Sequence, residues 1–247
     1  MAHVERALAM MDRLEAEFAP ALSQLLQAYA VRELETQRIG LPAAQNLSDL
    51  RQALREIWSA AIVASAELTK EELELTSAKA TDYLPLIEHF ATEFRGDVAQ
   101  QLFTTTQRQI RSMLMGGLTR GQAADAVYLD LLEKLPEMSG IRALLITRTE
   151  IHAATQYASW KIATASSVQL DKIWNSVKDE RTRDFGEMGR ISEFNHRVLD
   201  GTRLHMSDFF LVPRVDGGFE NLMFPGDSHG SAGNIINCRC ILTFERS

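Results

Sequence analysis

The chain has 247 residues, 45% of them apolar and 24% charged, and a formal net charge of −7. That length can bury a substantial core as one large domain or two small ones, and the composition is that of a globular chain. The acidic balance argues against a generic nucleic-acid coat while leaving room for a local basic patch, and two cysteines cannot build a disulfide framework, which points to a reducing cytoplasm.

The opening segment "MAHVERALAMMDRLEAEF" carries acids inside its apolar pattern and lacks the apolar stretch of a signal peptide. No uninterrupted apolar run of about 18 residues occurs, so no membrane span is expected. Leu8, Met11, Leu14, Phe18, Leu22, Leu25 and Tyr29 recur at helical spacing and define one face of a first helix, with Pro20 as a kink site. "GLPAAQN" (40–46) reads as a loop. Leu50, Leu54, Ile57 and Ala61 give a second helix, capped by Asn46 or Ser48. Thr69 to Glu72 fits a capping box that opens a short third helix. Residues 83–115 read as a long helical stretch through Phe90, Phe94, Val98, Leu102, Ile110 and Leu114, weakened at Gly96. Gly116 and Gly117 should end it. Thr119 and Gln122 form a second capping box, "PEMSG" should close that helix, and 141–166 is the last long one.

The texture changes near residue 168. "KIWNSVKD" alternates and is rich in strand formers. Polar turns follow, and the chain closes on a short alternation of Cys238, Cys240, Leu242 and Phe244. The expected fold is α+β: a helical region over 1–115, then a small loop-rich α+β module over 116–247, with helices in 119–166 and short strands in 170–247.

An ordered series of short motifs lies in the second half. It runs Arg148-Thr149-Glu150, Trp174, Asp179-x-Arg181-Thr182-Arg183, His196, Leu199-Asp200-Gly201, Phe209, Pro225-Gly226-Asp227, and Asn237-Cys238-Arg239-Cys240. Over about residues 117–244 this series resembles the phage Mu F-like head-morphogenesis proteins, minor head proteins of tailed phages. Each motif alone is weak, and the ordered set is specific. "DFGEMGRISEFN" separates Arg183 from His196 where the family has a shorter spacing, and reads as a loop insertion. The resemblance implies an assembly role in the phage head, near the portal. It implies portal and capsid proteins as partners, with DNA through local contacts. It implies a place in the virion, after assembly in the host cytoplasm. It brings no catalytic residues, small-molecule substrate or cofactor.

The residues themselves leave several readings open. In a strand, Cys238 and Cys240 would face one side about 6.5–7 Å apart, at or beyond the reach of an unstrained disulfide. They could be small side chains packed under a last strand, with Arg239 on the other face. They could hold zinc with His196, His205 or His229, or include a catalytic thiol. Asp179, Arg181 and Arg183 would share one side if the strand from Lys172 continued, as an ion-pair network or a contact to phosphate or portal. Asp200-Gly201 reads as a hairpin turn between "HRVL" and "TRLHM". Asp227 reads as a turn former, and Trp174 and Phe209 as core. Glu150 is the candidate buried charge, needing Arg148, Arg181 or Arg183 as partner. The alternative function is a nuclease-like or zinc-dependent enzyme built on the His, Asp and Arg residues of 179–229.

Overall fold

The computed structural model describes residues 2–39, 47–75, 82–179, 183–184, 190–191 and 194–247. Helix α1 (Ala2–Ile39) follows its apolar spacing: Met11, Leu14, Leu22 and Tyr29 are buried, and Leu8, Phe18 and Leu25 pack against them. Pro20 sits inside it without ending it. Helix α2 (Ser48–Glu72) buries Leu50, Leu54, Ile57 and Ala61. Its N-terminus has no side-chain cap: Ser48 bonds Asp49 instead, and Asn46 and the 40–46 loop lie outside the described residues. Thr69 does not open a new helix. It is buried, and its hydroxyl donates to Ser159 Oγ at 3.0 Å, so α2 runs through it.

The predicted stretch 83–115 is broken where Gly96 stands. Helix α3 (Leu84–His89) passes into a π-helical turn, Phe90–Arg95, and stops at Gly96, whose φ of +50° suits glycine. Asp97 then caps helix α4 (Val98–Thr119) by accepting from the Gln100 N–H at 3.1 Å. Gly116 and Gly117 do not terminate α4. A Cβ on Gly117 would lie 2.6 Å from Val127, so this glycine serves close approach to the next helix. Thr119 bonds the Met115 carbonyl within α4 and caps nothing.

Helix α5 (Ala124–Ala165) joins what the sequence divides at "PEMSG": Pro136 and Gly140 both lie inside it. Pro136 is itself exposed, but Leu131, Leu135 and Ser139 around it are buried, and Leu131 and Leu135 share a cluster with Leu34 and Ile110 that holds the helix through those breakers. Further on, every residue from Thr149 to Ser159 is buried. Small residues of both helices, Ala61 and Ala66 of α2 and Ala154 and Ala158 of α5, are fully buried. Between the two helices Ser65 Oγ donates to the Thr155 carbonyl at 2.8 Å and meets Ser159 Oγ at 2.9 Å. One buried core contains Leu14, Trp58, Tyr157, Trp174 and Leu242. It therefore spans both predicted parts of the chain. No helix among the described residues is long and apolar enough to cross a membrane.

After α5 the chain forms an antiparallel sheet. Strand β1 (Leu170–Asn175) is central, between β4 (Arg203–His205) and β7 (Ile241–Arg246), with Trp174 opposite Leu242. Strands β2 (Arg183–Asp184) and β3 (Arg190–Ile191) form a short parallel pair at the inserted segment. Strands β5 (Phe210–Pro213) and β6 (Phe219–Leu222) form a hairpin, and α6 (Ala232–Ile235) is a single turn. β1 ends at Asn175, so it does not carry Asp179 and Arg183 on one face. Asp200-Gly201 is not a hairpin turn: "HRVL" holds a 3-10 turn, Arg197–Leu199, and only β4 follows as a strand. Trp174 is core as expected, but Phe209 is 51% exposed and Phe210 takes the buried place, a one-residue shift.

Lys172 on β1 is fully buried, its ammonium donating to the Met223 carbonyl at 2.8 Å and lying 5.0 Å from the Phe210 ring centre. Burial lowers its pKa to about 8, against the pull of Asp208 and Asp227. Between that value and the unfolded pKa of about 10.4, the unfolded chain binds the extra proton, so stability rises with pH. The rise contributed by Lys172 should be roughly 2 kcal/mol from about pH 8 to about pH 10. Urea unfolding across that range should show the positive slope in the native chain, and Lys172→Met should remove it.

Candidate functional site

Three polar side chains of α5, Thr149, His152 and Gln156, fall at i, i+3 and i+7 on one face of the helix. Each holds a backbone group of residues 237–242, the segment leading into β7 and the strand's start. Thr149 Oγ1 accepts from the Asn237 N–H at 3.1 Å, and its own hydrogen goes to the Leu145 carbonyl. His152 Nε2 lies 2.7 Å from the Cys240 carbonyl, which can only accept, so that nitrogen carries the hydrogen. Gln156 Oε1 accepts from the Leu242 N–H at 2.8 Å. Gly226 of the Pro-Gly-Asp turn makes room for the same histidine: it has φ +81°, and a Cβ there would lie 2.7 Å from His152 Nδ1.

This ladder sets the two cysteines. They lie in the extended segment just before β7, not in the strand, and both are buried, with Arg239 between them turned the other way. His196 is also buried, and its Nδ1 stands 3.5 Å from Cys238 Sγ and 3.6 Å from Cys240 Sγ. Trp174 packs its ring edge-on against His196, with ring centres 5.6 Å apart. Ser176 Oγ donates to the His196 carbonyl at 2.7 Å and lies 3.8 Å from Cys240 Sγ. The imidazole tautomer follows from the next residues out. Asn234 Nδ2 donates to Glu220 Oε2 at 2.9 Å and to the Pro213 carbonyl at 3.2 Å, both pure acceptors. Asn234 Oδ1 therefore faces His196 Nε2, 3.0 Å away, and must accept its hydrogen. Nδ1 is left with a bare lone pair aimed at the two sulfurs.

The electrostatics of the cluster are uneven. A hydrogen bond from Cys240 holds the Cys238 thiol well below its ordinary range, with His152 and His196 adding to that, while burial pushes the Cys240 thiol well up. Burial pushes the Glu220 carboxyl up, but hydrogen bonds from Asn234 and Ser231 outweigh it and hold that group below the usual carboxylate value. Of the three histidines considered with the cysteines, only His196 meets them. His205 is exposed beside Ser207, and His229 is exposed with its Nδ1 2.7 Å from Asp227 Oδ1.

The other motif residues are drawn into the framework. Glu150 is buried, but its partners are not those expected. Arg95 pairs with it, Nε to Oε2 at 2.8 Å and a second contact to Oε1, and Trp58 Nε1 donates to Oε2 at 2.8 Å. Arg148 turns instead to Glu15 at 2.7 Å. The π-helical turn ending at Arg95 delivers that guanidinium, and nothing local in the sequence marks it. Arg239 pairs with Asp179 and Asp12, each at 3.3 Å, so the Asp-x-Arg and Cys-x-Cys motifs touch. Arg181 and Thr182 lie outside the described residues, and only the backbone of Arg183 is described. Asp200 Oδ1 accepts from the Ser176 N–H at 2.9 Å, Lys178 pairs with Oδ2, and Gly201 has φ +76°. Asp227 is a buried turn former that accepts from the Met223 and His229 N–H groups.

The model of the family described as "Phage Mu protein F like protein" matches residues 108–243, more than half of the chain. The chain belongs to the phage Mu protein F-like family. Membership supports a role in phage head morphogenesis. Within this Mu F-like chain the matched part takes in the end of α4, all of α5 and nearly all of the sheet. The uncharacterized protein YqbB of Bacillus subtilis (strain 168) is 26% identical over 146 residues, 59% of this chain and 44% of that protein. The chain thus spans less than half of that relative's length. No solved structure matches.

Arg95 and Glu150 give a direct test of the framework. Arg95→Met should strand a buried carboxylate and cost about 3–5 kcal/mol. Adding Glu150→Leu should recover most of that loss. Denaturant unfolding of the two single variants and the double variant reads the coupling.

Proposed function

We propose that this protein is a minor component of the phage head that works by docking onto the head's own structural proteins, portal or capsid, during assembly. The observation that carries this reading is the outer face of the β5–β6 hairpin. Its inner residues Phe210, Val212 and Leu222 are completely buried. Its outer face sets Leu211 and Phe219, 56% and 61% exposed, on adjacent strands, flanked by exposed Phe209 and Val215. Large apolar side chains gathered on the outside of a rigid hairpin favour a protein partner. The motif residues support the same reading: Thr149, Glu150, Asp179, Asp200 and Arg239 are occupied in joining elements.

The partner face can be tested without disturbing the core. Leu211→Lys with Phe219→Lys should leave the melting temperature within a few degrees of the parent, since exposed substitutions change stability by about 0.5 kcal/mol or less. In a phage carrying the double variant, the protein should be lost from purified virions and from material that co-purifies with the portal ring. Normal incorporation of a folded double variant would defeat the hairpin as the docking face. Deleting 1–110 is not an equivalent test, because α1 and α2 cover α5 and their loss would expose it.

A further inference from the structure

We infer that Cys238, Cys240 and His196 form a zinc site that fastens the segment leading into β7 to the loop before the 3-10 turn at Arg197–Leu199. The three side chains are buried, and their ligand atoms all lie within 4.8 Å of one another. With Zn–S near 2.3 Å and Zn–N near 2.0–2.1 Å, tetrahedral coordination requires an S···N edge of about 3.6 Å. The two S···N edges here are 3.5 and 3.6 Å.

A metal-free cluster accounts poorly for that pair of equal edges. Nδ1 offers one lone pair in the ring plane, and with the Cys240 hydrogen directed to Cys238 only one thiol would bond it, which calls for one short and one longer edge. A cation between the three atoms satisfies all of them at once. Charge balance agrees: a zinc ion and two thiolates sum to zero, which suits a site closed to water, and binding releases the two thiol protons. Two soft sulfur donors and one imidazole select zinc over harder cations such as magnesium or calcium.

The surroundings are those of a ligand histidine. Its second nitrogen is tied to Asn234, which is itself tied to Glu220, so ring and tautomer are set before any ion arrives. Among the described residues no fourth His, Cys, Asp or Glu joins the group. The fourth position falls to water or to the Ser176 hydroxyl, whose hydrogen is directed away to the His196 carbonyl. The consequence is structural. His196 follows the inserted segment and the cysteines lead into β7, so the ion would cross-link two parts of the module more than 40 residues apart.

The test uses the untagged full chain, purified without chelator. Elemental analysis should find one zinc per chain, and a mercurial that blocks thiols should release it. Stripped chain refilled with cobalt(II) should show a thiolate-to-cobalt charge-transfer band, a readout that needs no mutant to fold. Chelation should lower the melting temperature, and Cys238→Ser with Cys240→Ser should abolish both the zinc and the effect of the chelator. The proposal is overturned if reduced chain binds no added zinc or if the cobalt spectrum lacks the thiolate band. It is equally overturned if a folded double variant keeps its zinc.

Discussion

The structure depends on how the open edge of β7 is closed. One edge of that strand pairs with β1, and the other faces α5. A buried backbone group without a partner is costly, so the edge needs either another strand or side chains that imitate one. Gln156 does the second for β7 at Leu242, and Thr149 and His152 do it for the segment just before the strand. Helical spacing brings all three to the same face, and each takes one backbone group of residues 237–242. Helix and sheet are therefore joined by hydrogen bonds with direction, not only by apolar contact. That direction fixes the rotation of the Cys-Arg-Cys segment, so that both sulfurs turn in toward His196 and Arg239 turns out toward Asp179.

A helix that serves the sheet on one face and two helices on others has no solvent side over its middle. Several polar groups of α5 are then satisfied internally, although Thr147 Oγ1, His152 Nδ1, Thr155 Oγ1 and Trp160 Nε1 are buried without a hydrogen-bond partner among the described residues. Ser159 bonds Ser65 and Thr69, and Glu150 takes Arg95 and Trp58. Nearer its N-terminus the 42-residue helix survives a proline and a glycine because Leu131, Leu135, Ser139 and Ala143 around them are buried. The surrounding packing supplies far more than the few kcal/mol that those residues withdraw. It also explains why motifs scattered over 90 residues come together. They are the parts of one junction between α5, the end of β1, and the segment before β7.

Much of this was legible in the sequence, and the failures have physical causes. Apolar spacing located α1 and α2, and the shift from period 3.6 to period 2 located β1. Local signals failed where tertiary packing overrode them: Pro136 and Gly140 do not break α5, whose neighbouring Leu135 and Ser139 are buried, and Gly117 makes room for Val127 without ending α4. Gly96, expected only to weaken a helix, divides it, because a positive φ there aims Arg95 at Glu150. Phe209 and Phe210 are adjacent aromatics, and alternation alone cannot say which points inward. Arg95 belongs to a pair 55 residues apart and carries no local mark. Among three histidines, no spacing rule selects His196. The choice comes from Asn234, Ser176 and Trp174, which meet it only in space. Thr149, His152 and Gln156 stand at helical spacing, but among the other polar residues of α5, such as Glu150, Thr155 and Ser159, nothing local singles them out as partners of the sheet.

The hairpin and the cysteine cluster are one connected object. Asn234 receives the hydrogen of His196 Nε2 and gives its own hydrogens to Pro213 at the end of β5 and to Glu220 on β6. The outer apolar face and the inner imidazole thus share a two-strand ribbon and a single amide between them. The amide cannot rotate without losing bonds to two pure acceptors, and the carboxylate is held ionised by the same bonds. A load placed on the hairpin would bear first on these contacts, and through them on the ring that faces both sulfurs. Burying a histidine between two thiols has little purpose in a surface hairpin that moves freely. Held through Asn234, the hairpin keeps a fixed attitude toward the ring and the segment before β7.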